Sequence, residues 1–226
     1  PSEHMASALP PLKAPITLEG NGCILQGEGT GTGLLVEASG CTIRNLIFSG
    51  YSHGLWIRPK EKEPIMNTMI SDCTFQDMRQ TGLLTGSDQD YTGTDGLVVE
   101  RCRFTTELSN RKDAQAEGMG PFAGIFAAAL ALDHPREIQG SFLKNVSVRD
   151  CIVEGTKERE FMEGIFFTCA YDYSYGYVAP EKLLVTPRST ACELVMKDIA
   201  AVRNRFSNVF DGSLFALITS SGIYSE

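Results

Sequence analysis

Polar and apolar positions along this chain fall into a phrase that returns. A glycine opens an apolar triplet, a polar turn follows, and then a cysteine stands two residues before another apolar side chain. Gly33-Leu-Leu-Val36 leads to Cys41-Thr-Ile43, Gly54-Leu-Trp-Ile57 to Cys73-Thr-Phe75, and Gly82-Leu-Leu-Thr85 to Cys102-Arg-Phe104. The phrase recurs as Gly124-Ile-Phe-Ala127 with Cys151-Ile-Val153, as Gly164-Ile-Phe-Phe167 with Asn204-Arg-Phe206, and opens once more at Gly212. The onsets at 33, 54, 82, 124, 164 and 212 leave intervals of 21, 28, 42, 40 and 48 residues. Short apolar triplets bounded by Gly, Asn, Asp and Ser predict strands of about 3–5 residues. A minimal period of 21 that grows by insertion predicts a stacked, one-dimensional repeat of the parallel β-helix kind, with the insertions as loops on the outside.

The expected fold is therefore all-β, a single solenoid over 8–226, with 1–7 read as a cloning remnant. The apolar window 123–132 has the content of a helix, but it opens with the repeat phrase and is read as strand plus loop. Within 182–203, the stretch 193–202 is the expected place for a short inserted helix. The Pro-rich start, with Pro10, Pro11 and Pro15, leaves little room for a cap. The coil begun at 215–224 stops early, so the solenoid is expected to be incomplete there, as a piece of a longer one or completed by another chain.

Two segments carry a family resemblance. Ile16-Thr-Leu-Glu-Gly-Asn-Gly-Cys-Ile-Leu-Gln-Gly27 and Gly40-Cys-Thr-Ile-Arg-Asn-Leu-Ile-Phe-Ser-Gly50 resemble right-handed parallel β-helix proteins of the pectate-lyase-like superfamily. The resemblance extends over most of 15–220 and implies a right-handed coil, a carbohydrate ligand and an extracellular or cell-surface setting; it does not select an activity, because this fold hosts many.

Strand alternation assigns faces. Leu55 and Ile57 should point inward, Trp56 and Arg58 outward, and the same register sends Leu35, Leu84, Phe126 and Phe166 outward. An apolar outward stripe is unusual on a solvated face. Three occupants suit it: the chain's own long loops, a second chain or another copy of this one, or sugar rings stacked on Trp56. The loops 58–66, 86–95, 128–143 and 168–194 leave one edge of this sheet and should form a groove wall.

Net charge of −8 and a pI near 5.0 exclude nucleic acid as the main partner, since phosphate binding needs a basic face. No apolar run approaches the ~20 residues of a membrane-spanning helix. Seven cysteines, an odd number, match neither zinc-site spacing nor a small disulfide scaffold. Five fall at equivalent points of the repeat and read as an internal row of buried, reduced thiols.

Candidate chemistry gathers in Ser87-Asp-Gln-Asp-Tyr-Thr-Gly-Thr-Asp-Gly96. Glycoside hydrolysis uses two carboxylates, about 5–5.5 Å apart in retaining enzymes and roughly 6.5–9.5 Å in inverting ones. Asp88 and Asp95 flank a loop that can bring them together, and Asp90 is the third candidate; turn-forming roles for all three are the structural alternative. No cofactor is required, and calcium on Asp88 and Asp90 is a further option. Tyr91 and the loop Tyr171-Asp-Tyr-Ser-Tyr-Gly-Tyr177 supply candidate sugar contacts, above all Tyr171, Asp172, Tyr173 and Tyr175, though tyrosines suit protein partners equally.

Gly93-Thr-Asp-Gly96 is similar to the Asn-Thr-Asp-Gly phrase of polygalacturonases, and Ser52-His-Gly54 to their Gly-His-Gly phrase. The order is reversed here, and the Asp-Asp pair and Arg-Ile-Lys phrase are absent, so His53 reads as a turn residue. Pectate lyases pair a basic residue with calcium. Arg58, Lys60 and Lys62 beside Glu61 and Glu63 offer such residues but read as a solvated charged loop. The spacing of Asp88 and Asp95 is also similar to the Asp pair of β-helical lacto-N-biosidases. A glycoside hydrolase is the preferred expectation, a polysaccharide lyase the second enzymatic one, and a non-enzymatic structural or adhesive module the alternative.

Overall fold

A computed structural model of the chain describes residues 8–87, 89, 91–106, 123–132, 141–156, 160–172 and 195–217. Strands make up the regular structure of these residues: β1 (Thr17–Gln26), β2 (Thr32–Val36), β3 (Thr42–Ser49), β4 (His53–Ile57), β5 (Ile65–Ser71), β6 (Thr74–Gln76), β7 (Thr81–Thr85) and β8 (Gly93–Glu100). They continue as β9 (Arg103–Thr105), β10 (Ala123–Leu132), β11 (Phe142–Arg149), β12 (Ile152–Glu154), β13 (Phe161–Asp172), β14 (Val195–Val202), β15 (Arg205–Ser207) and β16 (Val209–Leu217). The named strands pair in parallel in two sheets. The six-stranded sheet runs β2-β4-β7-β10-β13-β16; the ten-stranded one runs β14-β11-β8-β5-β3-β6-β9-β12-β15, with β1 also on β3. The chain visits the sheets in turn, and each pass lays new strands beside those of the pass before.

The returning glycine has a steric cause. Parallel register stacks Leu34, Leu55, Leu83, Ile125 and Ile165, which places the preceding glycines 33, 54, 82, 124 and 164 in one row. Against that row the other sheet packs Phe48, Phe75 and Phe104, whose rings stack at 4.9 and 4.8 Å with 3° between planes. A Cβ on Gly82 would stand 2.3 Å from Phe104 Cδ1 and 2.7 Å from the Gly124 carbonyl oxygen. Glycine is thus the residue that lets the phenylalanine column approach the backbone.

The ten-stranded sheet follows a different rule. Positive φ occurs at Gly40, Asn45 and Gly50, at Asn67, Asp72 and Asp77, at Gly96 and Arg101, at Asn145 and Asp150, and at Asp198, Arg203 and Asn208, each five residues from the last in its pass. The pairings set Asn45, Asp72, Arg101, Asp150 and Arg203 level with one another. Each left-handed residue inserts one position and resets the alternation. Inward side chains therefore follow a 2-3-2 spacing, as in Leu97, Val99, Cys102 and Phe104, or Val146, Val148, Cys151 and Val153, all buried. Non-glycine residues resist this conformation. Arg101 and Arg203 hold it while forming two-point ion pairs with Asp72 (2.8 and 2.9 Å) and Asp150 (2.7 and 2.7 Å), the residues beneath them.

Several expectations are corrected by this geometry. The stretch 193–202 carries strand β14 rather than a helix; Met196, Ile199 and Ala201 pack on the core at a spacing of three and two, set by left-handed Asp198. Strand β10 spans Ala123–Leu132 and β13 spans Phe161–Asp172, so the sheet extends past 128 and 168, where loops were expected to begin. Cysteine equivalence is also revised. Cys73, Cys102 and Cys151 are adjacent in one row, with Leu46 and then Cys23 continuing it, whereas Cys41 stands one five-residue unit earlier. Finally, residues 9–12 lie along β2: Leu9 N–H donates to Gly33 O, Leu12 N–H to Leu35 O, and Glu37 N–H to Leu12 O. This strap covers an edge that was expected to lack one.

Candidate functional site

At the exit of the six-stranded sheet, the register Val36–Ile57–Thr85 stacks the next residues, Glu37, Arg58 and Gly86. Opposite charges thereby meet: an Arg58 N–H2 group donates to Glu37 Oε1 at 2.5 Å, and Lys60 Nζ stands 3.4 Å from Glu37 Oε2. The Glu37 side chain is only 5% exposed. Burial alone would push its carboxyl up; the Arg58 guanidinium and the Lys60 ammonium prevail and hold it below the usual carboxylate value. These three residues, with Pro59, Ser87 and Gln89, line a pocket of about 270 Å³. Gln89 fastens its loop to the neighbouring one by accepting the Glu61 N–H at 2.6 Å. Arg58 and Lys60 line the pocket with side chains still 41% and 46% exposed, and Lys62 and Glu61 pair in solvent, so the charged run is solvated as expected while two of its members also pair with Glu37.

Trp56 stands half-buried beside this pocket. Its Nε1–H donates to Gly86 O at 2.8 Å, the Arg58 guanidinium lies 5.4 Å from the indole centroid, and the His53 ring is 5.9 Å away. Leu35, Trp56, Leu84, Phe126 and Phe166 stand in one row, as alternation predicts. Leu84 and Phe166 are 0% and 3% exposed yet stand apart from the main core cluster. They are covered within this one chain and present no open surface to a second one. The side chain of Phe126 lies outside the described residues.

Of the three predicted carboxylates, Asp95 alone lies among the described residues. Asp95 is the third residue of β8, in the ten-stranded sheet, and accepts a hydrogen bond from Asn145 Nδ2 at 2.6 Å; it does not line the pocket. Asp88 and Asp90, on either side of Gln89, lie outside the described residues. Tyr91 is exposed, with left-handed φ, in the turn before β8. Tyr171 and Asp172 end β13, level with Ala131 and Leu132, rather than lying in a loop; Tyr173 and Tyr175 fall outside the described residues. His53 begins β4 rather than a turn. It is buried, its Nδ1 lies 2.7 Å from Thr81 Oγ1, and burial depresses its pKa to about 4. Among the described residues, no three of His, Cys, Asp and Glu stand together as a metal site.

Sequence reasoning passed over Glu37 and Ser87. The signal for Glu37 was present: Glu37 and Arg58 follow equivalent triplets, so stacking dictates an ion pair. No family model, curated protein or solved structure matches this chain.

Proposed function

We propose that the two sheets are faces of a right-handed parallel β-helix, and that the chain is a carbohydrate-binding protein whose binding edge is the exit of the six-stranded sheet. One observation carries this reading: Trp56 is immobilised by its own N–H and by Arg58 at the rim of a polar pocket. An indole held in this way offers a sugar ring an apolar face at little entropic cost, while the pocket beside it supplies directional hydrogen bonds. The parallel repeat supports it by analogy of fold alone.

Hydrolysis is the catalytic form of the same proposal, with Asp95 and Asp88 as the carboxylate pair and Asp90 as the substitute. The loop that carries Gln89 into the pocket wall also carries Asp88 and Asp90, which is its support.

A broad glycan array probed with wild type and Trp56→Ala is the test. A defined glycan signal that falls at least tenfold in the variant is the expected result; silence of the wild type across the array overturns the reading. Hydrolysis of the bound glycan should then fall at least 100-fold in Asp88→Asn and Asp95→Asn. Undiminished hydrolysis in both would remove the catalytic assignment and leave binding intact.

A further inference from the structure

Among the described residues, the lining of the pocket at the sheet exit is rich in donors and poor in acceptors. Arg58 spends one N–H2 group on Glu37, and its remaining guanidinium N–H groups make no further hydrogen bond among the described residues. Lys60 reaches the other Glu37 oxygen at 3.4 Å with one of its three N–H bonds. Gln89 uses its amide oxygen on Glu61 N–H, which leaves its N–H2 as donor. Ser87 supplies the most telling observation. It is 2% exposed, it lines the pocket, and its Oγ has no hydrogen-bond partner among the described residues. A buried hydroxyl left unpaired is destabilising, and a ligand oxygen that accepted from it would relieve that cost. Among the described lining residues the one carboxylate, Glu37, is matched by two cations, Arg58 and Lys60, a balance of one positive charge in a protein whose overall charge is −8.

We infer that this pocket binds an oxyanion: a carboxylate, phosphate or sulfate group, carried on a small organic body, with its oxygens accepting from Arg58, Lys60, Ser87 and Gln89. The volume of about 270 Å³ is several times the ~30 Å³ of a water molecule, so there is room for more than a bare ion. Arginine and lysine together are suited to such a group, the first as a planar fork and the second as a mobile point charge. The inference concerns the charge of the ligand and stands whether or not that ligand is a sugar.

Calorimetric titration of the whole chain with inorganic phosphate, inorganic sulfate, acetate, glucose 6-phosphate and glucose, at constant ionic strength, tests it. At least one oxyanion should bind in the millimolar range or tighter, and comparison among them names the source of the charge. Affinity should fall at least tenfold in Lys60→Gln and several-fold in Ser87→Ala, both of which keep the Arg58–Glu37 pair and should retain the wild-type circular dichroism spectrum. No oxyanion binding by wild type, or binding unchanged in both variants, overturns the inference. Oxyanion binding with a silent neutral glycan array supports this inference and removes the carbohydrate reading; neutral glycans bound while every oxyanion is silent does the reverse.

Discussion

Three buried hydroxyls lack partners among the described residues: Thr68, Thr94 and Ser87. Ser87 is a lining residue of the pocket, whereas Thr94 occupies the inward place that Ile65 and Leu143 hold in the neighbouring strands, a place where a methyl group serves better. Thr94→Val keeps the branched shape and removes the orphaned oxygen, so it should raise stability by ~1 kcal/mol, read as a higher urea midpoint at unchanged slope. His53 gives a pH dependence of definite sign. Its pKa is about 4 when folded against 6.5 when free, so as pH falls the unfolded chain takes the proton first. Stability should therefore decline from about pH 6.5 and stop declining near pH 4, by ~3 kcal/mol in total. The carboxyls of Glu37, Glu100 and Asp72 are held down by arginines, so their contribution persists to lower pH and is lost beneath that window. Urea midpoints between pH 7 and 4.5 should lose most of their slope in His53→Gln; an unchanged slope would assign the effect elsewhere.

Among the elements, the glycine row and the phenylalanine column are one device seen from two sheets. Gly82→Ala forces its Cβ onto Phe104 and the Gly124 carbonyl and should destabilise by about 1–3 kcal/mol. Adding Phe104→Leu should recover part of that loss, and a double-mutant cycle measures the coupling. Phe75→Ala, between two stacked rings, should lose about 3–5 kcal/mol. The six-stranded sheet was legible in the sequence because its strands alternate simply: Leu55 and Ile57 in, Trp56 out. The ten-stranded sheet was less so, because a left-handed residue every fifth position breaks the period of two. Leu143 and Val146, or Met196 and Ile199, then stand three apart, as on a helix, which is why 193–202 read as one. The same inner repeat made Cys41-Thr-Ile43 resemble Cys73-Thr-Phe75, although pairing sets Ile47 and Phe48, not Thr42 and Ile43, beside Thr74 and Phe75.

Across the molecule, each pass of the chain packs on the passes before and after it, so stability is distributed along a line rather than around a centre. Amide exchange should be slowest in β5 to β9, whose inward residues are buried on both sides, and faster in β14 and β15, where Ile199 and Phe206 are only half-buried. Uniform protection across these strands would contradict that ordering. The candidate site was partly legible. Trp56 followed from alternation, but the Glu37–Arg58 pair depends on which residues become vertical neighbours, and the fate of Ser87 depends on how tightly its loop closes. The five-residue spacing of left-handed corners also governs how such a gene can change length. One codon gained after Val99 would turn Cys102 and Phe104 toward solvent; the same codon gained beside Lys62 would alter nothing inside. Growth by insertion is therefore confined to the loops, and two of these carry Arg58, Lys60, Ser87 and Gln89, so variation in length there is also variation in the pocket.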